Sequence, residues 1–176
     1  KRAVVIGGGV LGLEAAWGLK ELGLDVSVIE MMQRILPKQL DEKGSKMLEQ
    51  AIVRSGVKVY KGVVVDHLEG DKKVSSVVLE KGEHIMADLV VISAGILPNK
   101  QLAVDIGIHT GRGIIVNEKM ETSEKDIYAC GDAAEYEGKV IGLWQVAMEQ
   151  GKTAGLNASG DNAVYKEQIQ PLNFDG

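Results

Sequence analysis

One stretch limits this chain more than any other: residues 4–16, which read V-V-I-G-G-G-V-L-G-L-E-A-A. A short apolar run, residues 3–6, stops at Gly7, Gly8 and Gly9. Gly12 follows, and a helix-like segment begins. This is G-x-G-x-x-G in the setting that gives the pattern its meaning, between a strand and a helix. Gly7 allows a tight turn out of the strand, Gly9 lets backbone approach a pyrophosphate, and Gly12 lets helix and strand pack closely. At the helix start the N–H groups of residues such as Val10 and Leu11, with the positive end of the helix dipole, suit phosphate. A second strand, residues 25–29, ends at Glu30, eighteen positions after Gly12. The dinucleotide fingerprint places an acid at about that distance to hold the adenosine ribose hydroxyls. A glycine-rich turn with no ligand is the bland alternative, and the strand–turn–helix–strand–acid order argues against it.

Further along, the chain keeps alternating. A helix over residues 11–22 sets Leu11, Ala15, Leu19 and Leu22 near one face, with Gly23 as its stop. After a loop broken by Pro37, Asp41 is a credible N-cap for a helix over 42–54, ended by Gly56. Residues 57–60 give a third strand. Strand and helix in this order imply right-handed crossovers and a parallel sheet. The pattern then shifts to short strands, 63–68, 74–80 and 83–86, split by Gly70-Asp71 and Lys81-Gly82, which predicts an antiparallel meander. Residues 88–92 form another buried strand that runs into the small-residue loop 93–99. Open sheets place ligands beyond such strand ends.

A second unit starts after Asn99, giving expected domains of 1–99 and 100–176. Strands are expected at 113–116 and, buried, at 127–129, with a helix over 144–158. These elements are too few for a sheet of their own, so the unit reads as the tail of a domain whose beginning lies elsewhere. Strand 127–129 would then expose an apolar edge, and a second copy of the chain is expected to cover it. The chain opens at Lys1, without methionine, and enters a strand at once, as if cut from a longer protein.

Glycine makes up 22 of 176 residues, well above the usual share of about 7%, which fits many tight turns. The net charge of −5 argues against a nucleic-acid surface or an anionic membrane. No apolar run of membrane-spanning length occurs, so a cytoplasmic protein is expected. With the single Cys130 no internal disulfide or Cys-x-x-Cys pair is possible, and it reads as a small hydrophobe on a buried strand. His67, His84 and His109 are scattered and read as surface or edge residues, with no metal site.

Three motifs in order carry a resemblance: Gly-Gly-Gly-Val-Leu-Gly-Leu-Glu (7–14), Ala-Gly-Ile-Leu-Pro-Asn (94–99) and Thr-Ser-Glu-Lys-Asp-Ile-Tyr-Ala-Cys-Gly-Asp (122–132). Together they resemble the flavin-dependent pyridine-nucleotide oxidoreductases related to disulfide reductases. The branch is that of NADH:rubredoxin reductases, NADH oxidases and the flavin module of nitrite reductases. In that family an NAD domain is inserted into an FAD domain. The resemblance implies an α/β chain: a Rossmann-like parallel sheet with its antiparallel meander, plus the returning segment of the FAD domain. The first FAD segment is absent from this sequence.

The same resemblance assigns residues. Gly7, Gly9 and Gly12 hold the NADH pyrophosphate region. Glu14 contacts the nicotinamide carboxamide, or is simply an acid in the first helical turn. Glu30 takes the adenosine ribose and would repel a 2′-phosphate, favouring NADH over NADPH. Arg34 either softens that preference or is a solvated loop arginine. Gly95 lines the nicotinamide site, and Pro98 and Asn99 fix the loop. Asp132 bonds the flavin ribityl chain, and Ala133 offers its N–H to the flavin phosphate. Trp144 either covers the flavin or packs ordinarily at a helix start. The cofactors implied are NADH and, in the intact protein, FAD. No side chain is required as acid or base. The acceptor is not readable: rubredoxin, oxygen, nitrite or a disulfide. A dinucleotide-binding or interaction module without redox chemistry is the alternative, disfavoured by the motif at 122–132.

Overall fold

A computed structural model describes residues 1–166 of the chain. The fold divides into two compact units, one formed by Lys1–Gly95 and the other beginning at Ile96.

The first unit is built in chain order from β1 (Arg2–Ile6), α1 (Val10–Glu21), β2 (Asp25–Glu30), α2 (Glu42–Arg54), β3 (Lys58–Lys61), β4 (Val65–Glu69), β5 (Ser76–Leu79), β6 (His84–Met86) and β7 (Leu89–Ile92). Four strands make a parallel sheet in the order β3-β2-β1-β7, and β4-β5-β6 form the antiparallel meander. Both were expected from the sequence. The central strands are covered on both faces, which is why they read as unbroken apolar runs. Ala3, Val5, Val26 and Val28 pack with Leu13, Ala16 and Ile35. Val4 and Ile29 point the other way and pack with Val77, Leu79 and Ile85 of the meander. Burying one such side chain contributes roughly 1.5–3 kcal/mol.

Local chemistry sets the ends of α2. The Asp41 carboxylate accepts the Gly44 N–H at 2.7 Å, Glu42 stands at the positive end of the dipole and Arg54 at the negative end. Past its C-terminus, Gly56 has φ +87°, a backbone that glycine adopts without strain. Ser45, fully buried on α2, donates its hydroxyl to Ile35 O at 2.9 Å and so ties the helix to the loop after β2. At the start of the sheet, Arg2 forms an ion pair with Asp88 at 2.9 Å. The guanidinium bond and the Arg2 backbone N–H hold the Asp88 carboxyl down at about 2, against an ordinary 3.8.

The α1 face differs from expectation. Leu11 and Leu22 are 72% and 77% exposed, while Gly12, Leu13 and Ala16 are buried. The cause is steric: a Cβ on Gly12 would lie 2.0 Å from Gly7 O, so the glycine face of the helix meets the strand. All three histidines are exposed, as expected. Two of them share an acid: His84 Nδ1 stands 3.1 Å and His67 Nε2 3.9 Å from Glu69. The Ser76 hydroxyl, above all, lowers the Glu69 carboxyl from its ordinary range.

The second unit contains α3 (Gln101–Asp105), β8 (Ile114–Val116), a 3-10 turn (Gly131–Ala133), β9 (Ala134–Tyr136) and α4 (Trp144–Ala158). Its core gathers Val116, Met120, Ala134, Val146, Ala154 and Tyr165. Tyr136 and Tyr165 meet edge to face at 5.3 Å. Three expectations fail here. The unit does form a small sheet, because β8 pairs in parallel with β9, which the sequence reading missed along with α3. Residues 127–129 are not a strand. Asp126 takes φ +63° and the Thr122 N–H donates to Ile127 O, so the chain doubles back and leaves only an isolated bridge between Glu121 and Tyr128. The reason for a covering second copy therefore falls away. Cys130 is exposed rather than buried, since no strand carries it inward. No helix among the described residues is long and apolar enough to cross a membrane.

Candidate functional site

The turn from β1 into α1 is assembled almost wholly from backbone. Gly7 has φ +118°, and a Cβ there would fall 2.1 Å from Ser93 O. Its N–H donates to Ile29 O at 2.7 Å, which continues the β1–β2 ladder into the turn. Gly9 is the N-cap of α1 and no side chain caps it. The first helical bond runs from Leu13 N to Gly9 O at 3.0 Å. The N–H groups of Val10, Leu11 and Gly12 thus lack acceptors within the helix. A Cβ built on Gly9 meets nothing within 4 Å, so the space before these donors is open. Closed glycines behind and an open one in front make a cradle whose shape and charge fit a pyrophosphate.

Glu30 closes the turn from the side. It is 7% exposed, and both its oxygens are engaged. Oε2 accepts the Gly8 N–H at 2.7 Å and Oε1 accepts the Met32 N–H at 2.7 Å. The carbonyl of Gly8 in turn accepts the Leu36 N–H at 3.0 Å. The loop after β2 is thereby folded back onto the glycine turn. Each carboxylate oxygen keeps a second lone pair, so capacity for ribose hydroxyls remains.

Arg34 is half-buried rather than a solvated loop arginine. Its Nη2 donates to Pro37 O at 3.0 Å, and its Nε is buried without a hydrogen-bond partner. It lines a groove of about 910 Å³ along α2, shared with Lys46, Glu49, Arg54 and Lys61, while Glu30 does not line that groove. Glu14 is half-buried and lies beyond the first turn of α1, which holds no acid, so the helix dipole does not account for it. Gly95 has φ +85° with open space where a Cβ would stand. It follows β7, whose ladder to β1 is prolonged by Ser93 N donating to Ile6 O at 2.7 Å.

In the second unit, Asp132 and Ala133 sit on the 3-10 turn, Asp132 exposed and Ala133 half-buried. Sequence reasoning missed what fixes that turn. Gln150 is 3% exposed and its Oε1 accepts the Gly131 N–H at 2.8 Å. The signal was present: Gln150 stands between Val146 and Ala154 at four-residue spacing, a polar residue inside a buried stripe. Helix α4 opens with Leu143 as N-cap, no side-chain cap and no acid in its first turn, so its terminal N–H groups are uncapped. Trp144 is 73% exposed, which removes the reading of ordinary packing within this unit.

Comparison with known proteins fits this geometry. Residues 1–151 match the family described as pyridine nucleotide-disulphide oxidoreductase. The assimilatory nitrate reductase electron transfer subunit of Bacillus subtilis is 42% identical over 91% of the chain and 21% of its own length. The NADH-rubredoxin oxidoreductase of Clostridium acetobutylicum is 40% identical over 96% of the chain and 41% of its own length. The chain thus spans less than half of either relative. Among solved structures, the NAD-dependent persulfide reductase of A. fulgidus superposes with a TM-score of 0.89 at 38% identity, over 99% of this chain and 34% of that one. An NADPH oxidase engineered from the water-forming NADH oxidase of Lactobacillus brevis superposes at 0.85 with 26% identity, over 94% and 38%. This chain belongs to the pyridine nucleotide-disulphide oxidoreductase family.

Proposed function

We propose that this chain is the NADH-binding part of a flavoprotein oxidoreductase that passes reducing equivalents from NADH through FAD to an acceptor. The observation that carries this is the cradle at Gly7–Gly12, open at Gly9, flanked by free helix N–H groups and closed by the acid Glu30. Gly7, Gly9, Val10, Leu11 and Gly12 hold the pyrophosphate, Glu30 faces the adenosine ribose, and Glu14 and Gly95 serve the nicotinamide end. Residues 1–99 form the NADH domain and 100–176 the returning part of the FAD domain. There the exposed carboxylate of Asp132, the Ala133 N–H and the uncapped start of α4 fit a polyhydroxyl chain, a phosphate and an anionic ring edge.

Bound NADH and flavin supply the hydride chemistry. The chain's own residues bind and orient, and none is placed as general acid or base. Glu30 also sets the coenzyme, because its carboxylate repels a 2′-phosphate. The engineered oxidase supports this: its substituted glycine, acid, methionine and proline have the spacing of Gly12, Glu30, Met32 and Pro37, and alanine replaces the acid in the NADPH-bound form. Arg34, turned into the α2 groove, does not oppose that preference. The relatives' names point to a small electron-carrier protein as one class of acceptor. Titration of the chain with NADH and NADPH, with and without added FAD, tests the reading. Saturable NADH binding, at least tenfold tighter than NADPH, is expected; no NADH binding at millimolar concentration rejects it.

A further inference from the structure

We infer that Glu30 is a positioning residue for the glycine turn, and that this work is separable from any bond it makes to a ribose. The inference rests on the proposed NADH site but reads a different property of it. Three observations carry it. Both oxygens of a buried carboxylate hold backbone N–H groups at 2.7 Å, Gly8 on one side and Met32 on the other. Gly8 lies flat on the Glu30 side chain, since a Cβ there would come within 3.0 Å of Glu30 Cβ and Oε2. And the Gly8 carbonyl accepts the Leu36 N–H, so Gly8 is held at both its N–H and its carbonyl.

Bonds on the two peptide units that flank Gly8 restrain its φ and ψ, and its neighbour Gly9 presents the open face of the cradle. Bonds from N–H groups to an ionised, buried acceptor are among the stronger ones in proteins. Removing the charge leaves the Gly8 or Met32 N–H facing an amide NH₂. Both the turn and the loop at 31–36 then lose their common anchor. Coenzyme selectivity and turn rigidity are therefore carried by one carboxylate, and a change at Glu30 alone alters both.

The test separates ribose recognition from positioning. Affinities of the unsubstituted chain, Glu30→Gln and Glu30→Asp are measured for NADH and for an NADH analogue lacking the adenosine 2′- and 3′-hydroxyls. Amide hydrogen exchange at Gly8 and Met32 is followed without ligand. Positioning predicts that Glu30→Gln weakens the analogue about tenfold, although it has no hydroxyls there to lose, and speeds exchange about tenfold at whichever of the two amides comes to face the NH₂. Glu30→Asp, charged but one methylene shorter, is expected to fall between. If Glu30→Gln weakens NADH but leaves the analogue and both amides unchanged, the inference is wrong and Glu30 serves the ribose alone. If the unsubstituted chain binds neither ligand, the proposed function fails, and the exchange rates still decide the positioning role.

Discussion

At the scale of single residues, the turn after β1 uses glycine for two opposite purposes. At Gly7 and Gly12 a side chain has no room; at Gly9 it would occupy the room a ligand needs. Gly7 is the stricter position, because φ +118° and a Cβ contact of 2.1 Å with Ser93 O act together. Gly7→Ala should cost roughly 2–4 kcal/mol in urea unfolding and abolish NADH binding, both measurable on the same preparation. This much was legible in the sequence, since the motif names its own glycines. What the motif does not name is the bracing around it. Nothing in a fingerprint says that the acid at Glu30 has both oxygens engaged by backbone. Nor does it say that Arg34 turns away to Pro37 O, because those bonds depend on how the loop at 31–36 folds back.

At the scale of elements, the helices and strands of the first unit were readable, down to the three-residue β6, and two short elements of the second unit were not. The sequence outlines α2 and α4 residue for residue: the Asp41 cap marks the start of α2, and Gly56 and Gly160 follow the two C-terminal ends. The face of α1 was misread because two of its three buried residues, Gly12 and Ala16 beside Leu13, are ones that hydrophobic periodicity weights lightly. In the second unit α3 and β9 carry too few positions to show a period, and no hairpin turn joins β9 to its parallel partner β8, while the apolar triplet at 127–129 passed for a strand. The Asp41 cap gives a direct check on a readable end. Asp41→Ala removes the acceptor of the Gly44 N–H and should destabilise the first unit by about 1 kcal/mol, seen as a lower denaturant midpoint with an unchanged slope.

At the scale of the whole molecule, the chain divides into two compact units, and the start of the first is tied down by an ion pair. Arg2 and Asp88 join the first residues of the chain to the entry of β7: the Arg2 N–H donates to the Asp88 carboxylate, and the Asp88 N–H donates to the Arg2 carbonyl. The folded Asp88 carboxyl sits at about 2, below its ordinary 3.8. The stability from this pair is therefore fully present above about pH 4 and is lost as the pH falls through about 2. Asp88→Asn should lower the Tm at neutral pH, and the gap from the unsubstituted chain should close as thermal scans approach pH 2. A gap that stays constant from pH 7 to 2 counts against the pairing. The pair is half exposed, so added salt should narrow the gap as well.

The exposed Cys130 has a practical consequence. It is the only thiol in the sequence, and it directly precedes the turn that bears Asp132 and Ala133. A thiol-reactive fluorophore would therefore attach at a single defined point. Its emission would report on the turn at Gly131–Ala133 without any engineered cysteine.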